Sequence, residues 1–344
     1  MAGKIEAKAE RPAPAKRSRL LAVSPESVEP RRPKILVYGA GGVGKTFAAI
    51  DFPAVYYFDI EEGATYEEYR AKLRAADAGY LGPDKGAGDF DIVIEQVEAL
   101  ATEQHKYRTM VFDSASKLFY NAISEESDRL GDKDEFGRSK RVPVRQMQKL
   151  IRLVNKADMN AIYICHEKEL WGLNDKKQRE VVGHTFDAWD KLSYELDLII
   201  RVVKIGSGKT AIRKAYIGKS RLASFPEGES FPWSYAEFAE RYGKAIIEKE
   251  VKPLVLATVE QLTEIHSLLE RVKPPTEDWE SKVFKRAEVD SWEEMETDKI
   301  AACIVKLREH GGLPAPDKLV PEKTETPTPQ ENATHVRRVN GEDA

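Results

Sequence analysis

Eight consecutive residues, Gly39-Ala-Gly-Gly-Val-Gly-Lys-Thr46, concentrate the chemistry of this chain. They follow the apolar run Lys34-Ile-Leu-Val-Tyr38 and precede the helix-compatible Phe47-Ala-Ala-Ile50. Strand, glycine-rich turn and helix start together aim backbone N–H groups at a polyphosphate, which is the setting of a P-loop. The expected nucleotide contacts are therefore Gly39, Ala40, Gly41, Gly42, Val43, Gly44, Lys45, Thr46 and Phe47, with ATP and Mg²⁺ as the implied ligands. Lys45 is expected to reach the β and γ phosphates and Thr46 the Mg²⁺. The competing reading is a glycine turn that binds nothing.

A P-loop ATPase also needs a carboxylate at a neighbouring strand end, because Mg²⁺ keeps several of its waters. Met110-Val-Phe-Asp113 supplies one, so Asp113 joins Thr46 as a metal-site candidate. Ser114 either orients water or caps the following helix. Hydrolysis further requires a group that orients or deprotonates water. In Val55-Tyr-Tyr-Phe-Asp-Ile-Glu61 two carboxylates stand one residue apart, which in a strand puts Asp59 and Glu61 on one face at the nucleotide edge. Glu61 is the candidate base, with Glu62 in its place if the strand ends early; a solvated acidic loop is the alternative. His166, ending the run Ala161–Cys165, is a candidate γ-phosphate sensor or a structural strand cap. The catalytic set is thus Lys45, Glu61, Asp113 and His166.

These residues need strands to carry them. From 34 to about 205, β-rich runs (Ile35–Tyr38, Val55–Asp59, Thr109–Phe112, Ala161–Cys165, Leu196–Val203) alternate with helix-period segments such as Lys117–Arg129 and Val144–Lys156. That alternation predicts an α/β fold with a mainly parallel sheet covered by helices. A second Gly-Lys-Thr at Gly208–Thr210 lacks the earlier glycine and sits between strand-like runs, so it reads as a hairpin turn. Beyond Lys252-Pro253 only helical texture remains. Thr258-Val-Glu-Gln261 and Ser291-Trp-Glu-Glu294 read as capping boxes, and Gly311-Gly312 as a stop. The expected organisation is a disordered basic arm (1–33), an ATPase domain (34–245), a small all-α domain (254–312) and a disordered tail (313–344). Trp279, Phe284 and Trp292 are either core of that helical domain or a partner-binding patch.

The chain has 344 residues, 41% of them hydrophobic, and a formal net charge of −4, which argues against a uniformly basic nucleic-acid coat. The charge is uneven: residues 1–34 hold nine Lys or Arg against four Glu. That arm either touches nucleic acid or merely solvates a tail. No apolar run reaches the roughly 20 residues a membrane helix needs, and no secretory signal is visible. Only Cys165 and Cys303 occur, without metal-ligand spacing, so a cytoplasmic, reducing location is expected and Cys165 reads as a buried small hydrophobe.

Taken in order, the loop, Glu61, Asp113 and His166 resemble the RecA-like ATPases, in particular the phage nucleotide-binding proteins of RecA-like type that act in single-strand annealing or recombination. The likeness spans about residues 34–242. In that family a catalytic glutamate follows the second strand, as Asp59-Ile-Glu61 does, and a polar sensor ends a later strand, as His166 does in Tyr163-Ile-Cys-His166. RecA has a glutamine there. Lys191-Leu-Ser-Tyr-Glu-Leu-Asp-Leu-Ile-Ile-Arg201 resembles the segment after the family's DNA-binding loop. The resemblance thereby implies that Glu167–Asp190 is a loop facing DNA through Lys168, Trp171, Lys176, Lys177 and Arg179, although a solvated loop has the same composition. Gly218-Lys-Ser-Arg-Leu-Ala-Ser-Phe-Pro226 resembles the segment that inserts basic residues into a neighbouring protomer's nucleotide, which implies Lys219 and Arg221 acting in trans or else a plain surface loop.

The resemblance implies a Mg²⁺-dependent ATPase in the host cytoplasm that assembles as a ring or filament on single-stranded DNA. Its helical domain would meet a single-strand binding or recombination protein. The alternative is a nucleotide-gated interaction module that recruits such a partner without significant turnover. A partition-type ATPase is disfavoured because Ala40 stands where that class has a lysine. A small-molecule kinase is disfavoured because no arginine-rich lid stands out.

Overall fold

The computed structural model describes residues 22, 24–135, 137–173 and 177–314. Most of the expected arm and tail therefore lie outside the described residues. The strands are β1 (Lys34–Tyr38), β2 (Val55–Asp59), β3 (Gly79–Leu81), β4 (Thr109–Asp113), β5 (Asn160–Leu173), β6 (Arg179–Asp187), β7 (Leu198–Ile205), β8 (Ile212–Ser220) and β9 (Ser230–Pro232). The helices are α1 (Lys45–Ile50), α2 (Glu67–Ala75), α3 (Phe90–Thr102), α4 (Ala115–Leu130), α5 (Arg141–Lys156), α6 (Leu192–Glu195), α7 (Tyr235–Tyr242), α8 (Lys244–Glu248), α9 (Val259–Arg271), α10 (Trp279–Ala287) and α11 (Thr297–His310).

The sheet runs β3-β2-β4-β5-β1-β7-β8-β9, parallel from β3 to β7 and antiparallel from β7 to β9. The mainly parallel sheet expected from the alternation is therefore present. Its strands β1, β2 and β4 are buried almost throughout because both faces are covered. Leu36, Phe58, Phe112 and Tyr163 face the layer of α3, α4 and α5, whereas Ile35, Val37, Val111 and Ile164 face the layer holding α1, α7 and α8. The α5 helix shows how sequence sets this layer: Pro143, Met147, Leu150, Ile151 and Val154 form its buried stripe.

Three expectations about chain organisation are corrected. The arm expected to be disordered through residue 33 is anchored at its end, where Arg32 is buried and its guanidinium donates to the Ile247 carbonyl at 2.9 Å and the Lys249 carbonyl at 2.6 Å. A buried charge with several acceptors holds a backbone that composition alone reads as solvated. The second capping box does not start a helix: Ser291–Glu294 lies in a turn, and α11 begins at Thr297. There the Glu294 side chain accepts from the Asp290 N–H at 3.1 Å and pairs with Lys149 at 2.7 Å, so tertiary partners claim the glutamate. Within Glu167–Asp190, expected as a loop, Glu167–Leu173 of β5 and Arg179–Phe186 of β6 pair as an antiparallel ribbon.

Other readings hold. Gly208–Thr210 lies in the turn between β7 and β8. Thr258 and Gln261 form a reciprocal capping box on α9, and α11 stops at Gly311. Trp292 is buried, with Trp279 at 6.0 Å and Phe284 at 4.8 Å between ring centroids, in an apolar cluster belonging to α9–α11. Cys165 is buried and its thiol is pushed up to about 12 by desolvation.

Candidate nucleotide site

The loop after β1 has the geometry of a phosphate cradle. Gly39 passes so close to β7 that a Cβ there would stand 2.3 Å from the Val202 carbonyl oxygen. Gly44 has φ 91°, a left-handed conformation that lets the chain turn directly into α1. Ala40, Gly41 and Gly42 are exposed, whereas Val43 turns its side chain into the core. Above the loop is a cleft of about 390 Å³ whose walls include Lys45, Thr46, Glu61, Asp113 and His166. The structure thus brings together every member of the catalytic set read from the sequence.

Two further features position the acids. The Asp113 carbonyl accepts the N–H of Ile60 at 2.7 Å and of Glu61 at 3.1 Å, which ties the end of β2 to the end of β4. Asp113 itself is buried, accepting from Thr46 Oγ1 at 2.6 Å and Tyr57 at 2.8 Å. Desolvation pushes its carboxyl up to about 6, against the lowering effect of those two hydrogen bonds. Lys45 donates from Nζ to the carbonyls of Gly39 at 2.8 Å and Ala40 at 3.0 Å, and its burial lowers its pKa.

Glu61 accepts hydrogen bonds from the Ser114 hydroxyl and from His166 Nε2. Burial would raise its carboxyl, but the His166 and Ser114 bonds, with Lys45 nearby, outweigh it and hold the group below its ordinary value. The same Glu61 bond raises His166. Ser114 also caps α4 by accepting the Lys117 N–H at 3.2 Å, which is the capping role expected of it.

The shared face expected for Asp59 and Glu61 is corrected. β2 ends at Asp59, whose carboxylate is buried and accepts from the N–H groups of Gly63 at 2.7 Å and Ala64 at 3.0 Å. It holds the turn, and leaving the strand there frees Glu61 to face the cleft. Glu62 has φ 62° and does not line the cleft.

The remaining candidates lie apart. Phe47 is partly exposed, edge-on to Tyr69 at 5.0 Å, and Tyr69 on α2 lines the cleft. Lys219 donates to the carbonyls of Ser193 and Leu196, and Arg221 to that of Tyr194 at 2.7 Å, so both are engaged within their own chain. On the ribbon, Lys168 pairs with Asp187 at 3.4 Å and Asp190 at 3.2 Å, while Arg179 lies over the Trp171 ring at 5.6 Å. Lys177 is exposed, and Lys176 lies outside the described residues. Sequence reasoning missed Tyr69 and also Glu167, which lines the cleft and pairs with Arg201 of β7 at 2.5 Å across the end of β1. The position of Glu167, next to the expected sensor, was the available signal.

ATP and Mg²⁺ fit what is present. Among the described residues no group of three or more His, Cys, Asp or Glu could cage a metal. Mg²⁺ instead favours one or two protein oxygens plus phosphates and water, and Thr46 beside Asp113 offers that hard-oxygen set. No helix among the described residues is long and apolar enough to cross a membrane.

No curated protein matches the sequence. A solved structure of a KaiC-like protein from the hyperthermophilic archaeon Pyrococcus horikoshii OT3 is similar at 15% identity and a TM-score of 0.35, over 60% of this chain and 87% of that one. The AAA domain family matches residues 31–222, more than half of the 344. With the P-loop and its acids assembled inside that span, the chain belongs to the AAA domain family of P-loop ATPases.

Proposed function

We propose that this protein is a Mg²⁺-dependent ATPase of RecA-like phage type that acts on single-stranded DNA in annealing or recombination. The observation that carries the reading is Glu61, held between Ser114 and His166 at the mouth of the P-loop cleft. A carboxylate kept ionised and oriented beside the loop lysine is suited to take a proton from an attacking water. Bound Mg²⁺ would neutralise charge on the phosphate oxygens. Lys45 would exchange the Gly39 and Ala40 carbonyls for phosphate, Thr46 and Asp113 would hold Mg²⁺ and its waters, and Ser114 orients Glu61.

The DNA part of the proposal rests on the β5–β6 ribbon. Trp171 is 50% exposed and Leu170, Leu173 and Val182 are also exposed. An aromatic ring with an arginine beside it on a projecting ribbon suits base stacking and phosphate contact. Of the five candidate contacts, Trp171, Lys177 and Arg179 are the better placed, because Lys168 already has two acidic partners. Assembly into a ring or filament would have to draw Lys219 and Arg221 from their own carbonyls before they could act in trans. Recruitment of a single-strand binding or recombination protein by α9–α11, and work in the host cytoplasm, belong to the same proposal.

The test is ATP turnover with and without single-stranded DNA over a salt series. Stimulation that falls steeply with salt, and turnover lost in Lys45→Ala, supports the proposal. Tight nucleotide binding without turnover would instead favour the nucleotide-gated interaction module.

A further inference from the structure

The β7–β8 ladder brings two cations together beside the P-loop. Arg213 and Lys204 are directly opposite one another in the antiparallel register. Strand alternation puts Arg213 on the same side as Ala215 and Ile217, and Lys204 on the same side as Val202 and Ile200, all four of which belong to the layer beneath α1. Both cations therefore continue the α1 side of the sheet past its buried part, at the level of the loop.

Arg213 lies against the loop itself. A Cβ placed on Gly44 would stand 2.3 Å from Arg213 Nε and 2.7 Å from its Cδ. Gly44 is thus fixed twice, by its left-handed backbone and by the arginine stem packed on it. Among the described residues neither the Arg213 nor the Lys204 side chain has a hydrogen-bond or ion-pair partner. Like charges directly across a ladder destabilise it. Arg201, three residues earlier on β7 and on the opposite face of the sheet, has Glu167 as its acid; this pair has none among the described residues.

Resting on the nucleotide reading above, we propose that Arg213, assisted by Lys204, is a phosphate clamp supplied in cis to the nucleotide in the P-loop, gripping the part that di- and triphosphate share. The side of approach decides which part. β1 stands between β5 and β7 in the sheet. Glu61 and His166 reach the cleft from the β4–β5 side, where the terminal phosphate must react, and Arg213 reaches the loop from the opposite side. A guanidinium with free donors matches phosphate oxygens, and nucleotide binding relieves the repulsion between the two cations.

The experiment titrates Mg-ADP and a slowly hydrolysed ATP analogue into the full chain and its Arg213→Ala, Arg213→Lys and Lys204→Ala variants, at low and moderate salt. Arg213→Ala is expected to weaken both nucleotides equally, by about tenfold or more, and Lys204→Ala by about threefold. Arg213→Lys should restore part of the loss, and the salt dependence should shrink in both alanine variants. Unliganded Arg213→Ala should melt no lower than the parent, because a like-charge contact is removed; this separates lost binding from lost folding. Unchanged affinity overturns the proposal, as does a loss confined to the triphosphate. Weaker single-stranded DNA binding with unchanged nucleotide affinity also overturns it, by assigning the two cations to nucleic acid. If the parent chain binds neither nucleotide, the P-loop reading itself has failed.

Discussion

His166 is the first residue of β5 beyond the reach of β1, and its Nε2 is hydrogen-bonded to the Glu61 carboxylate. Up to Cys165, β5 pairs with β1; from His166 onward it pairs with β6. Ser116 marks the change of partner, accepting the His166 N–H at 2.8 Å and donating to the Asp187 carbonyl. The contact to Glu61 thus sits where the sheet gives way to the β5–β6 ribbon.

Glu61→Gln keeps the shape of that contact and removes the proposed base. Turnover should fall by roughly 100-fold or more while nucleotide affinity stays within a factor of about three, as expected for a general base. Single-turnover kinetics beside equilibrium binding make the comparison. Equal loss of binding and turnover would mean that Glu61 supports the fold of the cleft instead.

The same pair predicts a pH dependence of stability. Glu61 raises the His166 pKa, so His166 contributes in full below its unfolded value and loses that contribution as pH rises through the raised folded value. Glu61 is depressed, so its contribution is present above its unfolded value and is lost as pH falls through the lowered folded value. The window of greatest benefit lies between about pH 4.5 and about pH 6.5. Denaturant midpoints of the parent and His166→Ala should differ more at about pH 5.5 than at about pH 8.5. Both side chains are partly exposed, so added salt should narrow the gap. A pH-independent gap would rule out the ion pair as its source.

Arg32 fastens the segment before β1 to the chain around α8. Its side chain is 1% exposed, and it pairs with Asp158 at 3.1 Å while donating to carbonyls near residues 247–250. Arg32→Ala leaves those acceptors without their donor and should cost about 3 kcal/mol in denaturant unfolding. A loss below about 0.5 kcal/mol would mean that the segment is not fastened there.

Tyr163, its ring stacked on Phe112 at 4.9 Å, carries a buried hydroxyl with no hydrogen-bond partner among the described residues. Tyr163→Phe preserves the ring and removes the orphaned group, so stability should rise by about 1 kcal/mol. A destabilised variant would point to a buried water bonded to that hydroxyl.

The sequence was most informative where chemistry is local. The loop from Gly39 to Thr46 is contiguous, its glycines need particular backbone angles, and the apolar runs of β1, β2 and β4 require burial wherever they lie. Glu61, Asp113 and His166 were legible because each follows such a run, and strand ends in a parallel sheet converge on one edge. The region between Asp59 and Thr109 was less legible, because β3 has three residues and α2 is mostly polar outside Leu73.

Only the tertiary structure decided what depends on distant partners. It made Asp59 a turn anchor while Glu61 faces the cleft, because the Asp113 carbonyl captures the chain just past β2. It paired Glu167–Leu173 with Arg179–Phe186 as a ribbon, because β6 supplies the ladder that β5 lacks once β1 has ended. It set Arg213 on Gly44, a contact between residues far apart in sequence that no local pattern encodes. Residue types and spacing specify which groups a nucleotide site contains; strand order and register specify which of them meet.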